Sequence, residues 1–207
     1  MNWLAHLLLS EPTPEFRVGN LLPDLLTREQ IRQLPAHFLP GVRCHGLIDS
    51  FTDSHNAVRR SISRIEPPYR RYGGILVDVF YDHFLANDWS DYSEVSLEDF
   101  AREAYASIAA CRHDLPPSIV PRLQLMTVEN WLCSYREIAG VTHVLHRLGG
   151  RLRRPFDLGA SVNFLERHKE DLYRDFKIFF PELIAHVASS QRAAPARLDN
   201  GASSCGE

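Results

Sequence analysis

The segment His45-Gly-Leu-Ile-Asp49-Ser-Phe-Thr52-Asp53 places polar groups at i, i+4, i+7 and i+8 beside apolar Leu47, Ile48 and Phe51. On a helix that spacing makes one polar stripe against an apolar face. An imidazole and a carboxylate one turn apart suit a Mn-, Fe- or Mg-type ion taking mixed nitrogen and oxygen donors. The same pair also serves when Asp49 merely fixes the tautomer of His45.

A second segment, Ile75-Leu-Val-Asp78-Val-Phe-Tyr-Asp82-His83-Phe-Leu85, is apolar almost throughout, the pattern of a buried helix. Asp78 and Asp82 stand four apart and share a face. Two buried like charges repel and lose hydration unless a metal ion, a cationic partner or a protonated carboxyl compensates. Tyr81 and His83 lie off that face. A third group gathers Asn2 and His6, also on one helix face, with Gly19-Asn20 and Asp24. Any single pair of this kind is most often structural, because ion-pair networks and caps use the same residues. Three such groups in apolar surroundings predict a polar cavity inside a helical bundle, where facing helices commonly build metal sites. His143 and His146, near a helix C-terminus, read as structural.

The elements that must carry these groups read as helices. Leu4, Leu7 and Leu8 give a short opening helix, Asn20 to Leu26 a short helix or turn, and Thr27 with Gln30 a capping box for Arg28 to Leu34. One or two helices follow over Val42 to Ile65, then Ile75 to Trp89 and a helix from Ser96 or Leu97 toward Cys111. Ser118 to Ile138 reads as one helix stopped near Gly140, and Val141 to Leu148 as another ended by Gly149-Gly150. The last two stretches span Leu158 to His168 and Glu170 to Val187. The expected fold is all-α, a single-domain helical bundle over residues 1–188, with a disordered tail over 189–207 that is rich in Ser, Ala, Gly and Arg.

Composition bounds the function. With 207 residues, 44% hydrophobic and 24% charged, the chain has the make-up of a soluble globular domain. A net charge of −3 argues against a general nucleic-acid binder. No apolar run reaches the ~20 residues of a membrane helix, and no secretory signal is visible. Cys44, Cys111, Cys133 and Cys205 are scattered, which suits reduced thiols in a cytoplasmic protein. The phosphate-loop, dinucleotide-loop, H-E-x-x-H and G-x-S-x-G motifs are all missing. Ala57 to Tyr72 holds Arg59, Arg60, Arg64, Arg70 and Arg71 against Glu66, a basic stretch able to dock an acidic macromolecule beside a reactive centre.

Four blocks in order resemble the bacterial acyl carrier protein phosphodiesterase family: Met1-Asn2-Trp3-Leu4-Ala5-His6, Gly19-Asn20-Leu-Leu-Pro-Asp24, His45-x-x-Ile48-Asp49-x-x-Thr52-Asp53 and Asp78-x-x-x-Asp82-His83-Phe84-Leu85. Phe179-Phe180-Pro181 resembles the family's closing helix. The chain departs from the family pattern at Trp3 (Phe or Tyr), Pro23 (a small residue) and Gly46 (a basic residue). The resemblance implies a fold distantly related to HD-domain phosphohydrolases, although Asp82-His83 reverses the His-Asp order of those enzymes. It also implies a divalent metal, Mn²⁺ ahead of Mg²⁺ or Fe²⁺, and removal of the 4′-phosphopantetheine arm from holo acyl carrier protein in lipid metabolism. On that reading Asp24, His45, Asp49 and Asp78 are the expected metal ligands. Asp24, His6, Asp82 and His83 are the expected catalytic or supporting groups. Asn2, Asn20, Arg43, Arg59, Arg60 and Arg64 are expected to contact the substrate or its carrier. Two alternatives use the same residues: a phosphohydrolase of nucleotides or other small phosphate esters, and a carrier-binding protein without turnover.

Overall fold

The computed structural model describes residues 1–193. Twelve α-helices follow in order: α1 Trp3–Leu8, α2 Pro14–Leu21, α3 Arg28–Arg32, α4 Leu39–Ser54, α5 Asn56–Arg64, α6 Gly73–Asn87, α7 Leu97–Ala110, α8 Val120–Val128, α9 Trp131–Ser134, α10 Ile138–Gly150, α11 Val162–Arg167 and α12 Lys169–Ala193. There is no strand among the described residues, so the fold is all-α. No helix among them is long and apolar enough to cross a membrane. Cys44, Cys111 and Cys133 are unpaired, and Cys205 lies outside the described residues.

The apolar segment read from the sequence becomes α6, the axis of the bundle. Leu76, Val77, Phe80, Tyr81, Phe84 and Leu85 are all buried on it, because α1, α5, α10 and α12 pack around it. The Thr27–Gln30 capping box forms at the start of α3, and Ser96 caps α7 by accepting from the Asp99 amide.

Local chemistry moved three boundaries. The stretch from Ser118 to Ile138 is two helices, broken at Asn130, whose φ of 47° lies in the left-handed region. Gly140 does not stop a helix: it lies inside α10, where a Cβ would fall 1.9 Å from the Ser134 carbonyl oxygen. The glycine is there for close approach. The expected tail is also corrected, since α12 runs on through Ala193 with Pro181 inside it; the rest of that tail lies outside the described residues.

Two packing features set the site. Where α2 crosses α4, a Cβ on Gly19 would lie 2.3 Å from the Phe38 carbonyl oxygen, and one on Gly41 would lie 2.2 Å from that of Phe16 and 2.6 Å from the Asn20 nitrogen. Only hydrogen at these positions lets the backbones approach so closely. On the far side, α5 is tied to α12 through Asp175. The Arg60 Nη2 and Nε donate to its Oδ1 at 2.8 and 3.0 Å, and Arg64 and Ser61 donate to its Oδ2 at 2.5 and 3.0 Å. Ser61 also bonds the Tyr81 hydroxyl at 2.9 Å, which satisfies a phenol buried on α6. Arg60 and Arg64 therefore hold the bundle together. The structure places both guanidinium groups against Asp175, with that of Arg60 still half exposed.

Candidate metal centre

The pair Asp78 and Asp82 explains how the site begins. Asp82 is wholly buried, and its two oxygens accept from the Leu4 and Ala5 amides at 2.8 and 3.3 Å. A carboxylate at a helix start satisfies amides that have no intrahelical partner. One turn earlier, Asp78 accepts from the Met1 ammonium at 3.0 Å. Compensation thus comes from the start of α1. Burial still pushes the Asp82 carboxyl up to about 7, against the pull of the Met1 ammonium and the two amides. Burial likewise raises Asp78, with the ammonium opposing. The structure thus sets Asp82 on the α1 backbone and pairs Asp78 with Met1, so neither is among the three residues whose donor atoms converge below. His83 points elsewhere: its Nδ1 donates to the Tyr135 carbonyl at 2.7 Å, in a separate depression with Asn87 and Lys169. The structure does not bring His83 to the site.

With α1 fixed by α6, His6 faces His45 of α4. Their rings stack with centroids 4.3 Å apart and planes 22° from parallel. Asn20 holds both. Its Nδ2 donates to the His6 carbonyl at 2.7 Å and to Ser10 Oγ at 2.9 Å, so its Oδ1 is free to accept from His6 Nδ1 at 3.0 Å. The Asn20 carbonyl accepts from His45 Nδ1 at 2.8 Å. With both Nδ1 atoms protonated, each neutral ring aims its Nε2 lone pair at Asp49. His6 Nε2 lies 3.3 Å from one Asp49 oxygen, and His45 Nε2 lies 3.0 Å from the other. Asp24 Oδ1 approaches His45 Nε2 at 3.8 Å, while its Oδ2 accepts from Trp3 Nε1 at 2.8 Å.

Two lone pairs facing carboxylate oxygens repel unless a cation lies between them. Protonating both stacked rings would set like charges 4.3 Å apart. A divalent ion relieves both conflicts, and the Nδ1–carbonyl anchors match the outer partners that orient metal-bound imidazoles. His6, His45 and Asp49 offer donor atoms within 4.8 Å of one another, a triad consistent with a divalent metal. Burial opposes ionisation of Asp49, yet the two imidazoles beside it outweigh burial and hold the carboxyl well below the usual range. Burial lowers His45, but Asp49 and Asp24 raise it further, so the site stabilises positive charge between His45 and Asp49 whether a proton or a metal ion carries it.

Next to the triad, at Asp24, whose Oδ1 approaches His45, opens a cleft of about 200 Å³. Asn2, Trp3, Asp24 and Asp78 line it together with Arg122, Arg147 and Arg151 from α8, α10 and the turn after it. Trp3 stacks on Trp131 with centroids 5.6 Å apart; the Arg122 guanidinium lies 5.1 Å from the Trp3 ring and that of Arg147 lies 3.7 Å from Trp131. Asn2 thus lines the cleft, whereas Arg43 is exposed on α4 and Arg59 donates its Nε to the Asp53 carbonyl at 3.2 Å. Sequence reasoning missed the three cleft arginines. Arg147 and Arg151 stand at i and i+4, a spacing that signals one helix face; Arg122 carries no such signal.

The model of the acyl carrier protein phosphodiesterase family matches residues 1–183. The chain is 32% identical to the acyl carrier protein phosphodiesterase of Enterobacter sp. (strain 638) over 192 residues, 92% of this chain and 100% of the relative. It is 31% identical to the protein of the same name from Klebsiella pneumoniae (strain 342), again over 92% and 100% of the two chains. The namesake in Salmonella agona (strain SL483) is 32% identical over 91% of this chain and 98% of its own length. No solved structure gives a significant match.

Proposed function

The chain belongs to the acyl carrier protein phosphodiesterase family, and on that premise we propose that it hydrolyses the phosphodiester joining 4′-phosphopantetheine to holo acyl carrier protein, leaving the apo carrier. The observation that carries this reading is the convergence of two imidazole Nε2 lone pairs on Asp49 beside a cleft lined with arginines. His6, His45 and Asp49 would hold the metal, with Asp24 Oδ1 as a fourth donor. Mn²⁺ is the first choice on the family resemblance, and mixed imidazole and carboxylate donors admit it alongside Fe²⁺ and Mg²⁺. When bound, such an ion lowers the pKa of a water and acts as a Lewis acid on a phosphoryl oxygen.

The residues of the chain do the rest. Asn20 fixes both histidine tautomers so that each Nε2 is presented as a donor to the metal. Trp3 occupies one Asp24 oxygen and thereby aims the other at His45. Arg122, Arg147 and Arg151 make the cleft wall cationic, where a phosphodiester needs it. An acidic carrier protein would approach that mouth, and Arg153 and Arg154 stand exposed on the turn just after Arg151.

The test is the intact mass of holo acyl carrier protein incubated with the purified protein and Mn²⁺, with chelator and Asp49→Ala controls. Loss of one phosphopantetheine mass with metal and wild type alone supports the reading. An unchanged mass, in protein shown to be folded and metal-loaded, discards the carrier as substrate.

A further inference from the structure

The three cleft arginines are not equivalent. Arg147 is already satisfied: it pairs with Glu129 and its guanidinium carbon lies 3.7 Å from the Trp131 ring centre. Arg122 and Arg151 have no carboxylate within ion-pair distance among the described residues. The Nε of Arg122 is buried without any hydrogen-bond partner, an arrangement that costs free energy while it stays unmade. Burial, then the like charges of Arg151 and Arg147, bring Arg122 down to about 10. The Asp24 carboxylate acts on it only through space, since one Asp24 oxygen is taken by Trp3 and the other turns to His45. The fold therefore keeps two guanidinium groups without a carboxylate partner in the same cleft.

We infer that Arg122 and Arg151 form the anion clamp of this cleft, binding the non-bridging oxygens of a tetrahedral phosphate ester. The ligand class is a phosphate mono- or diester, because planar guanidinium forks match two oxygens of such a group at once. Arg122 is held for the task by its stack on Trp3, whose indole N–H also fixes Asp24, so that one side chain links the clamp to the metal-facing carboxylate. Arg147 and Trp131 complete the same run of stacked rings and supply the rigid backing. The assignment of the clamp to the carrier's phosphodiester rests on the function proposed above; the binding of phosphate by Arg122 and Arg151 does not.

The two are separated by using inorganic phosphate as the probe. Calorimetric titration of metal-loaded wild type is compared with Arg122→Gln, Arg122→Lys, Arg151→Gln and the exposed control Arg32→Gln, with metal content and helical circular dichroism checked in each. Loss of one charge-assisted contact weakens phosphate binding by at least about tenfold in Arg122→Gln and Arg151→Gln. Arg122→Lys keeps the charge and loses the fork, so it falls between, and Arg32→Gln matches wild type. Arg151 is exposed, so Arg151→Gln keeps the test sound if Arg122→Gln misfolds. Phosphate binding within twofold of wild type in folded, metal-loaded Arg151→Gln and Arg122→Lys overturns the clamp, even if the carrier is turned over. Weakened phosphate binding in protein that never releases the arm from the carrier supports the clamp and removes only the carrier reading.

Discussion

His6 and His45 come from different helices, yet both rest their Nδ1 protons on Asn20, one on its side-chain oxygen and the other on its main-chain carbonyl. One residue therefore sets both tautomers, and both Nε2 atoms turn toward Asp49 as a consequence. The arrangement depends on α2 lying close to α4, which Gly19 and Gly41 permit.

Removing the Asn20 side chain should separate the two anchors. Asn20→Ala abolishes the contact to His6 Nδ1 and frees the His6 carbonyl and Ser10, while the main-chain contact to His45 survives. Metal affinity is expected to drop by about 10–100-fold, as for other outer partners of ligating histidines. Titration with Mn²⁺ or Zn²⁺ checks this; an affinity within twofold of wild type would show that Asn20 does not orient the site.

Two glycines on α4 should respond in opposite ways. Gly41→Ala drives a methyl into the Phe16 carbonyl and the Asn20 nitrogen, so the helices must part at a cost of about 1–3 kcal/mol or more. The displaced Asn20 carbonyl then loosens His45, and metal binding weakens with stability. Gly46 is exposed with nothing within 4 Å of its Cβ position, so Gly46→Ala should stabilise the helix by about 0.5–1 kcal/mol. Chemical denaturation of both variants measures the contrast, and equal effects would contradict it.

The contrast also marks what the sequence shows and what it hides. The His45–Asp49 stripe and the buried character of α6 are legible because helical period alone puts those residues on faces. What compensates Asp78 and Asp82 is not legible, since it is the start of α1, 77 or 78 residues away along the chain. Arg60 and Arg64 look free in a basic stretch, and only the fold supplies Asp175, more than a hundred residues later. Arg122 is hidden for the same reason: its partner Trp3 lies on the first helix, seven helices earlier in the chain.

Asp175 tests the structural reading of those arginines. Asp175→Ala leaves Arg64, Ser61 and Tyr81 without their acceptor network in a buried seam, and loss of one partner of a buried ion pair costs about 3–5 kcal/mol. Arg60 is 49% exposed, so Arg60→Ala should cost only about 1 kcal/mol or less. Thermal unfolding of the two variants gives the ranking. A mild Asp175→Ala would return Arg60 and Arg64 to the list of partner contacts.

Asp82 gives a pH dependence whose sign follows from burial. Its carboxyl is raised from an ordinary 3.8 to about 7 in the folded chain. A raised folded-state value favours the protonated form on folding, so this contribution is complete below about pH 4 and is lost as pH rises through 7. Asp82→Asn cannot titrate. The stability of wild type relative to this variant should therefore fall between about pH 4 and 7, read by urea denaturation at several pH values. A constant difference would mean that the Leu4 and Ala5 amides and the Met1 ammonium keep Asp82 ionised throughout.

The last prediction concerns how an acidic carrier finds the cleft. Encounter between oppositely charged surfaces is faster at low salt, because exposed charges are screened beyond roughly 8–10 Å near physiological ionic strength. On the proposed function, kcat/KM falls as salt rises. The exposed arginines closest in sequence to the cleft are Arg153 and Arg154, directly after Arg151, whereas Arg43 lies exposed on α4 and Arg59 donates to the Asp53 carbonyl. Neutralising Arg153 and Arg154 together to Gln should lower kcat/KM at low salt and flatten its salt dependence, with kcat little changed. The same double change at Arg43 and Arg59 should leave the slope nearly as it was. If the second pair flattens the slope and the first does not, the carrier docks over α4 and α5 and the phosphate arm enters from that side. If kcat/KM is independent of salt in wild type, charge does not guide the encounter at all.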